Sequence, residues 1–273
     1  CQLNGLMMEN SDGEIPKYSV FRALRIVGDA WSLRIITEAF RGTRRFSDWQ
    51  SALGIPKAVL SRRLQDLVDA GIFYRQSGDT APRGEYRLAE AGLALWEILL
   101  AIREWQLEWY PDEPGMHRVL RHMTCGNVSR LVLTCSSCAQ PLTPFNTQAT
   151  AGPGSGTEVP KKTHARRRGT AALGSDTGTT GEQHILQIFG DAWTPAIIAT
   201  CFRGLRRFTE FENYLNIPPF ILSGRLKELV AVDILSRQSD SGGHARFHLT
   251  QKGLGLFPYI SMLAKWGDRW LDD

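Results

Sequence analysis

The chain has 273 residues, 42% of them hydrophobic, a length that suggests about two domains and a composition that supports packed cores. Its 32 basic and 28 acidic side chains leave a net charge of +4, too mild to predict a nucleic-acid partner by itself. No run of eighteen apolar residues is present to span a membrane, and the opening CQLNGLMMENSDGEIPK lacks the basic-then-apolar pattern of a secretory signal. Five cysteines, three of them clustered, point to a cytoplasmic chain with a metal or thiol cluster and away from a disulfide scaffold.

Residues 1–17 read as an amino-terminal extension, and a first domain spans 18–110. Arg25 to Gly28 and Trp31 to Phe40 carry apolar residues at helical spacing, and Gly42 ends the second run. Ser47 and Gln50 have the spacing of a capping box, which predicts a short helix ending at Gly54. Ile55-Pro56 opens a third helix, with Leu60, Leu64, Leu67 and Val68 on one face. The other face carries Lys57, Ser61, Arg62 and Gln65, and Arg63 beside them is a further candidate DNA contact. A short helix, a Gly turn and a longer basic helix form a helix-turn-helix pattern. IFYRQ and GEYRL then predict two short strands joined by SGDTAPR, which makes a winged helix. A long helix from about Ala89 to Tyr110 closes the domain with a surplus of apolar surface, including Trp105 and Trp109.

Residues 111–148 hold His122, Cys125, Cys135 and Cys138, in the pattern H-x2-C-x9-C-x2-C around the apolar RLVLTC. Four N or S ligands suit a tetrahedral structural zinc ion in a ribbon-like segment. A metal-free thiol cluster is the alternative, and His117 competes with His122 as ligand. Residues 149–181, rich in Gly, Ser, Thr and Ala, predict a flexible linker. Its Lys161, Lys162 and Arg166 to Arg168 form a basic cluster, read as a solvated linker or as non-specific phosphate contacts.

Residues 182–273 repeat the first domain. IVGDAWSLRIITEAFRGTRRFSDW, from Ile26, returns as IFGDAWTPAIIATCFRGLRRFTEF, from Ile188. LGIPKAVLSRRLQDLVDAGIFYRQS, from Leu53, returns as LNIPPFILSGRLKELVAVDILSRQS, from Leu215. Thr209 and Glu212 repeat the capping-box spacing, and Trp266 and Trp270 match Trp105 and Trp109. The fold class is therefore mainly α with small β wings: two winged helix-turn-helix domains joined by a Cys-rich segment and a linker.

A helix-turn-helix lays its second helix in the major groove, so double-stranded DNA is the expected partner. Arg62 and Gln65 suit guanine and adenine edges. Arg44 and Arg45 precede a helix start where phosphate is favoured, and Arg83 sits near the wing tip. In the second copy Lys57, Ala58 and Arg62 become Pro219, Phe220 and Gly224. Ser223, Arg225 and Lys227 remain, with Arg206 and Arg207 ahead of them, and His244 stands in place of Arg83. The second copy should contribute less base specificity. No catalytic constellation appears, so an enzyme is not expected.

The stretches GDAWSLRII, GTRRFSDWQSALGIPKAVLSRRLQDLVDAGI and GEYRLAEAGLAL resemble the HxlR-type winged-helix transcriptional regulators of bacteria, over nearly all of both copies. The resemblance implies operator binding as a homodimer, with dimer contacts from the first and last helices. It assigns Trp105, Trp109, Trp266 and Trp270 to helices that pair, here within one chain as a pseudo-dimer on two half-sites. Many members carry a cysteine shortly before the GD.W motif; this chain has none there, and Cys201 sits mid-helix among apolar neighbours. Two other readings stay open. One is a protein-interaction module; the other is a sensor binding a small-molecule effector near Trp31, Trp105, Trp193 and Trp266.

Overall fold

The computed structural model describes residues 15–16, 18–78, 81–112, 120–148, 157–158, 188–240 and 242–271. The first copy runs α1 (Ser19–Val27), α2 (Ala30–Phe40), α3 (Phe46–Leu53), α4 (Lys57–Asp69), β2 (Phe73–Gly78), β3 (Ala81–Leu88), α5 (Glu90–Leu93) and α6 (Trp96–Trp109). The second runs α7 (Trp193–Phe202), α8 (Phe208–Leu215), α9 (Pro219–Ala231), β5 (Leu235–Ser239), β6 (Ala245–Leu249), α10 (Gln251–Leu254) and α11 (Phe257–Trp270). A two-residue strand β1 (Ile15–Pro16) pairs antiparallel with β4 (Thr157–Glu158), inside the expected linker. The remainder of that linker, including its basic cluster, lies outside the described residues.

Each copy builds one core from the same positions. Leu60, Leu64 and Leu67 turn inward from α4 onto Ile35, Ile36, Trp49, Ile72 and Phe73, all buried. The second copy buries Leu222, Leu226 and Leu229 with Ile197, Ile198, Phe211, Ile234 and Leu235. Asp29 caps α2 by accepting from the N–H groups of Trp31 and Ser32, both at 3.2 Å. Asp191 does the same for α7, toward Trp193 at 2.8 Å and Thr194 at 3.1 Å. This capping is the physical content of the GDAW phrase: an aspartate satisfies the amides that every helix start leaves open.

Five local expectations need correction. Ser47 does not cap α3. The helix starts at Phe46 with Arg45 at the cap position, and the Ser47 hydroxyl turns to Asp48. In the second copy Glu210, not Glu212, reaches back to the Arg207 N–H at 2.9 Å, so Thr209 is not the cap either. The wing strands extend into the expected loop, to a Gly78–Ala81 pair, because the ladder keeps satisfying backbone groups that the loop would have left to water. The closing helix is broken at Ala94–Leu95 into α5 and α6. RLVLTC forms no strand; isolated bridges Arg121–Val128 and Thr134–Pro141 close two small turns instead.

The position of α5 is fixed by Gly92. A β-carbon there would stand 2.2 Å from the Ile72 carbonyl oxygen, and one at Gly253 would stand 2.3 Å from that of Ile234. Backbone rather than a flexible side chain blocks each site. Gly92→Ala should therefore cost about 1–3 kcal/mol, as overpacking does. Urea denaturation will measure it; an unchanged midpoint would show that the contact is not binding.

The two copies pack on each other through α1, α6 and α11, with reciprocal contacts. The Trp105 indole N–H donates to the Lys252 carbonyl at 2.8 Å, and that of Trp266 to the Ala91 carbonyl at 2.8 Å. Trp105 matches Trp266 and Ala91 matches Lys252 in the repeat, so residue i meets j and j meets i, as in a two-fold interface. Both indoles are buried. Trp105 and Tyr259 both stack edge-on against Phe189, at 5.8 and 4.8 Å. The Lys252 ammonium donates to the Tyr110 hydroxyl at 2.6 Å, and Lys265 pairs with Glu97 at 2.8 Å. The Ala30 N–H donates to the Gly190 carbonyl at 3.1 Å, joining the two GDAW loops directly.

Candidate nucleic-acid interface

The turn between α3 and α4 is made at Gly54, in left-handed conformation with φ 59°; Asn216, φ 47°, does this in the second copy. These are the residue types that tolerate that region. Each turn sets its second helix with one face in the core and the other outward. On α4, Lys57, Ser61, Arg62 and Gln65 are exposed. Arg62 lies 3.9 Å from Asp66 across solvent, a contact too weak to hold it. Gln65 is engaged: its amide donates to Asp69 at 2.7 Å and accepts from Arg75 of the wing at 3.1 Å. Reading a base with Gln65 would require breaking those bonds.

Arg63 does not share this outward face. It is mostly covered and lies 3.4 Å from Asp29 and 3.5 Å from Asp66. Arg225, at the matching position, lies 3.4 Å from Asp191 and 2.6 Å from Glu228. Both arginines tie the reading helix to the capping aspartate of α2 or α7, so the structure places them inside the domain's own ion pairs. The signal was present in the repeat: Arg63 and Asp29 recur together as Arg225 and Asp191, whereas Arg62 becomes Gly224.

Arg44 and Arg206 are also occupied. Arg44 donates to the Ala39 and Thr43 carbonyls, and Arg206 to those of Cys201 and Leu205. They close the carbonyl end of the preceding helix, which favours cations. Their own carbonyls accept from Tyr86 at 2.9 Å and Phe247 at 2.8 Å, joining helix end to wing. Arg45 and Arg207 are the exposed members of each Arg-Arg pair. They face acids of the wing, Glu85 and Asp240, each at 3.4 Å. The Arg83 side chain lies outside the described residues.

In the second copy Ser223 and Lys227 are exposed on α9. His244, 77% exposed, lies 3.5 Å from Asp240 at the wing tip. The His244 backbone N–H, Arg246 and the Gly242 N–H hold the Asp240 carboxyl down at about 2. That interaction therefore supports the wing above the ordinary aspartate range and is lost as acid carries the pH through about 2. Phe220, 89% exposed, is a large apolar side chain at the leading turn of α9. Its prominence was missed because an exposed and a buried Phe look alike in a sequence.

Other expected features are placed as follows. Cys201 is fully buried, and burial pushes its thiol up to about 12, which makes it a core residue and no sensor. Between α6 and α11 a cleft of about 30 Å³ is lined by Ala94, Glu97, Lys265, Trp266, Arg269 and Trp270. That is room for water, not for an organic effector. His122 Nδ1 stands 3.3 Å from Cys125 Sγ, while His117 lies outside the described residues. Among the described residues no three metal-ligating side chains stand together, so the His122–Cys125 and Cys135–Cys138 pairs are two half-sites rather than one assembled centre.

Two helices joined by a tight turn, the second with an outward basic face, followed by a two-stranded wing, define each copy as a winged helix-turn-helix unit. The HxlR-like helix-turn-helix family matches residues 26–114 and 188–273, and the chain belongs to it. An uncharacterized HTH-type transcriptional regulator of Mycobacterium tuberculosis is 42% identical over 137 residues, covering 50% of this chain and 87% of its own length. The regulator YvaP of Bacillus subtilis is 36% identical over 90 residues, 32% of this chain and 83% of its own. A solved structure described as a transcription factor, PA1607, is 34% identical and covers 48% of this chain and 92% of its own, with a TM-score of 0.43. Among the described residues no helix is long and apolar enough to cross a membrane.

Proposed function

We propose that this protein is a DNA-binding transcriptional regulator in which the two winged domains of one chain act as a pair on two operator half-sites. The observation that carries the pairing is the reciprocal hydrogen bonding of Trp105 and Trp266 to the opposite copy. Family membership and the names of the relatives support the regulator. The units are residues 18–110 and 182–273. In the first, Lys57, Ser61 and Arg62 face base edges and Arg45 faces phosphate. In the second, Pro219 and Gly224 stand where Lys57 and Arg62 are, Phe220 stands where Ala58 is, and Ser223, Lys227, Arg207 and His244 serve the backbone. An exposed Phe at the front of a reading helix suits a thymine methyl or a wedge at a base step.

The test is genome-wide pull-down of the full chain, followed by binding to an enriched site across a salt series. Discrete enriched sites and an affinity that falls steeply with salt are expected, since phosphate contacts release counterions. Absence of enriched sites would favour the second reading, a protein-interaction module. The single observation on that side is Phe220, since exposed aromatics also anchor protein interfaces.

A further inference from the structure

The segment between the two winged domains is ordered without a core of its own. From Leu120 to Gln148 no side chain is buried, yet the backbone is closed into two tight turns. A piece this small, with no core of its own, ordinarily needs a cross-link to hold a shape.

The two turns are copies of one another in hydrogen bonding. In the first, the His122 N–H donates to the Asn127 carbonyl at 2.9 Å and the Gly126 N–H to the His122 carbonyl at 2.7 Å. In the second, the Cys135 N–H donates to the Gln140 carbonyl at 2.9 Å and the Ala139 N–H to the Cys135 carbonyl at 2.8 Å. The residue after the second sulfur is left-handed in both, Gly126 at φ 73° and Ala139 at φ 58°. For alanine that conformation costs about 1–2 kcal/mol, so the second turn is held against its own backbone preference. Each turn presents its potential ligands three residues apart: His122 with Cys125, and Cys135 with Cys138. The Ser137 and Cys138 N–H groups both point at the Cys135 sulfur.

We propose that the His122–Cys125 and Cys135–Cys138 turns close on a single zinc ion, with His122 Nδ1 and the three cysteine sulfurs as a tetrahedral structural site. The sequence join from Cys125 to Cys135 is short and contains no buried side chain; Leu131 rests on the domain core and Arg130 lies 3.4 Å from Glu104, which ties the join to the first domain. On binding, the three thiols lose their S–H protons to solvent, three sulfur–zinc bonds form, and His122 binds through its neutral ring nitrogen. Three protons are released per zinc, leaving the centre with one net negative charge. With four protein ligands no position stays open, so the ion is structural and not catalytic. The site is independent of the DNA-binding reading, and its failure would leave that reading untouched.

The experiment is elemental analysis of the full chain purified without chelator from zinc-supplemented cells, with light scattering on the same sample. One zinc per single chain is expected. Cys135→Ser and Cys138→Ser should lose it, and Ser136→Ala should keep it. Cobalt added to the metal-free chain should give the thiolate-to-cobalt charge-transfer absorption of a tetrahedral site, reduced in His122→Ala. Chelation should expose residues 120–148 to protease while the winged domains stay intact. Zinc near zero together with no cobalt absorption overturns the proposal. So does zinc retained by Cys135→Ser, or half a zinc per chain in a chain dimer. The cobalt titration of the unaltered chain decides the matter even where a serine variant fails to fold.

Discussion

Trp105→Ala with Trp266→Ala is expected to uncouple the two winged domains. Each indole is 3% exposed and donates to a carbonyl of the other copy. Truncation removes a large apolar side chain and leaves a carbonyl unmatched, worth about 3–5 kcal/mol for each tryptophan. The unaltered chain should melt in one transition and behave as a single chain in light scattering. The double variant should melt lower and in two steps. Lys265→Ala is the control, because the Lys265–Glu97 pair is half exposed and such pairs contribute about 0–1 kcal/mol. A stable dimer of chains held through α6 and α11 would count against pairing within the chain. So would a double variant that melts like the unaltered protein.

The second expected result is an unequal response of the two reading helices. Arg62→Ala should weaken binding to a mapped operator by about 1–3 kcal/mol and relax base preference at one position of one half-site. Lys227→Ala should weaken binding alike across sequences and lower the salt slope by about one. Phe220→Ala should act on base preference and leave the salt slope unchanged, because no charge is lost. Arg63→Ala should behave differently from all three: it leaves Asp29 without its 3.4 Å partner, so the fold loosens before any contact with DNA is tested. Competition titrations with single-base operator variants, checked by circular dichroism, separate these outcomes. Equal losses from Arg62→Ala and Lys227→Ala on one symmetric operator would remove the asymmetry.

The order of helices, turn and wing was legible because each rests on a short-range pattern. Leucines at helical spacing become the core face of α4, Gly54 takes the left-handed turn, and IFYRQ and GEYRL become paired strands. Helix ends were less legible. Ser47 has the right spacing for a cap, but Phe46 begins the helix first and packs against the core. Among the candidate DNA contacts, charge alone could not separate outward from inward arginines. Arg62 and Arg63 are adjacent, yet a helix turns about 100° between neighbours, which sends one to solvent and the other to Asp29.

By itself the sequence determined that one domain is written twice, which helix in each copy reads outward, and that the second reader has lost Lys57 and Arg62. These follow from periodicity and from comparing the two copies side by side. Only the tertiary structure decided which basic groups remain free. It showed Arg44, Arg63, Arg206 and Arg225 held by carbonyls and carboxylates of their own domains. It also decided that Trp105 and Trp266 bond to each other's half. Both outcomes depend on groups far apart in the chain meeting in space, and no local pattern of residues encodes that meeting.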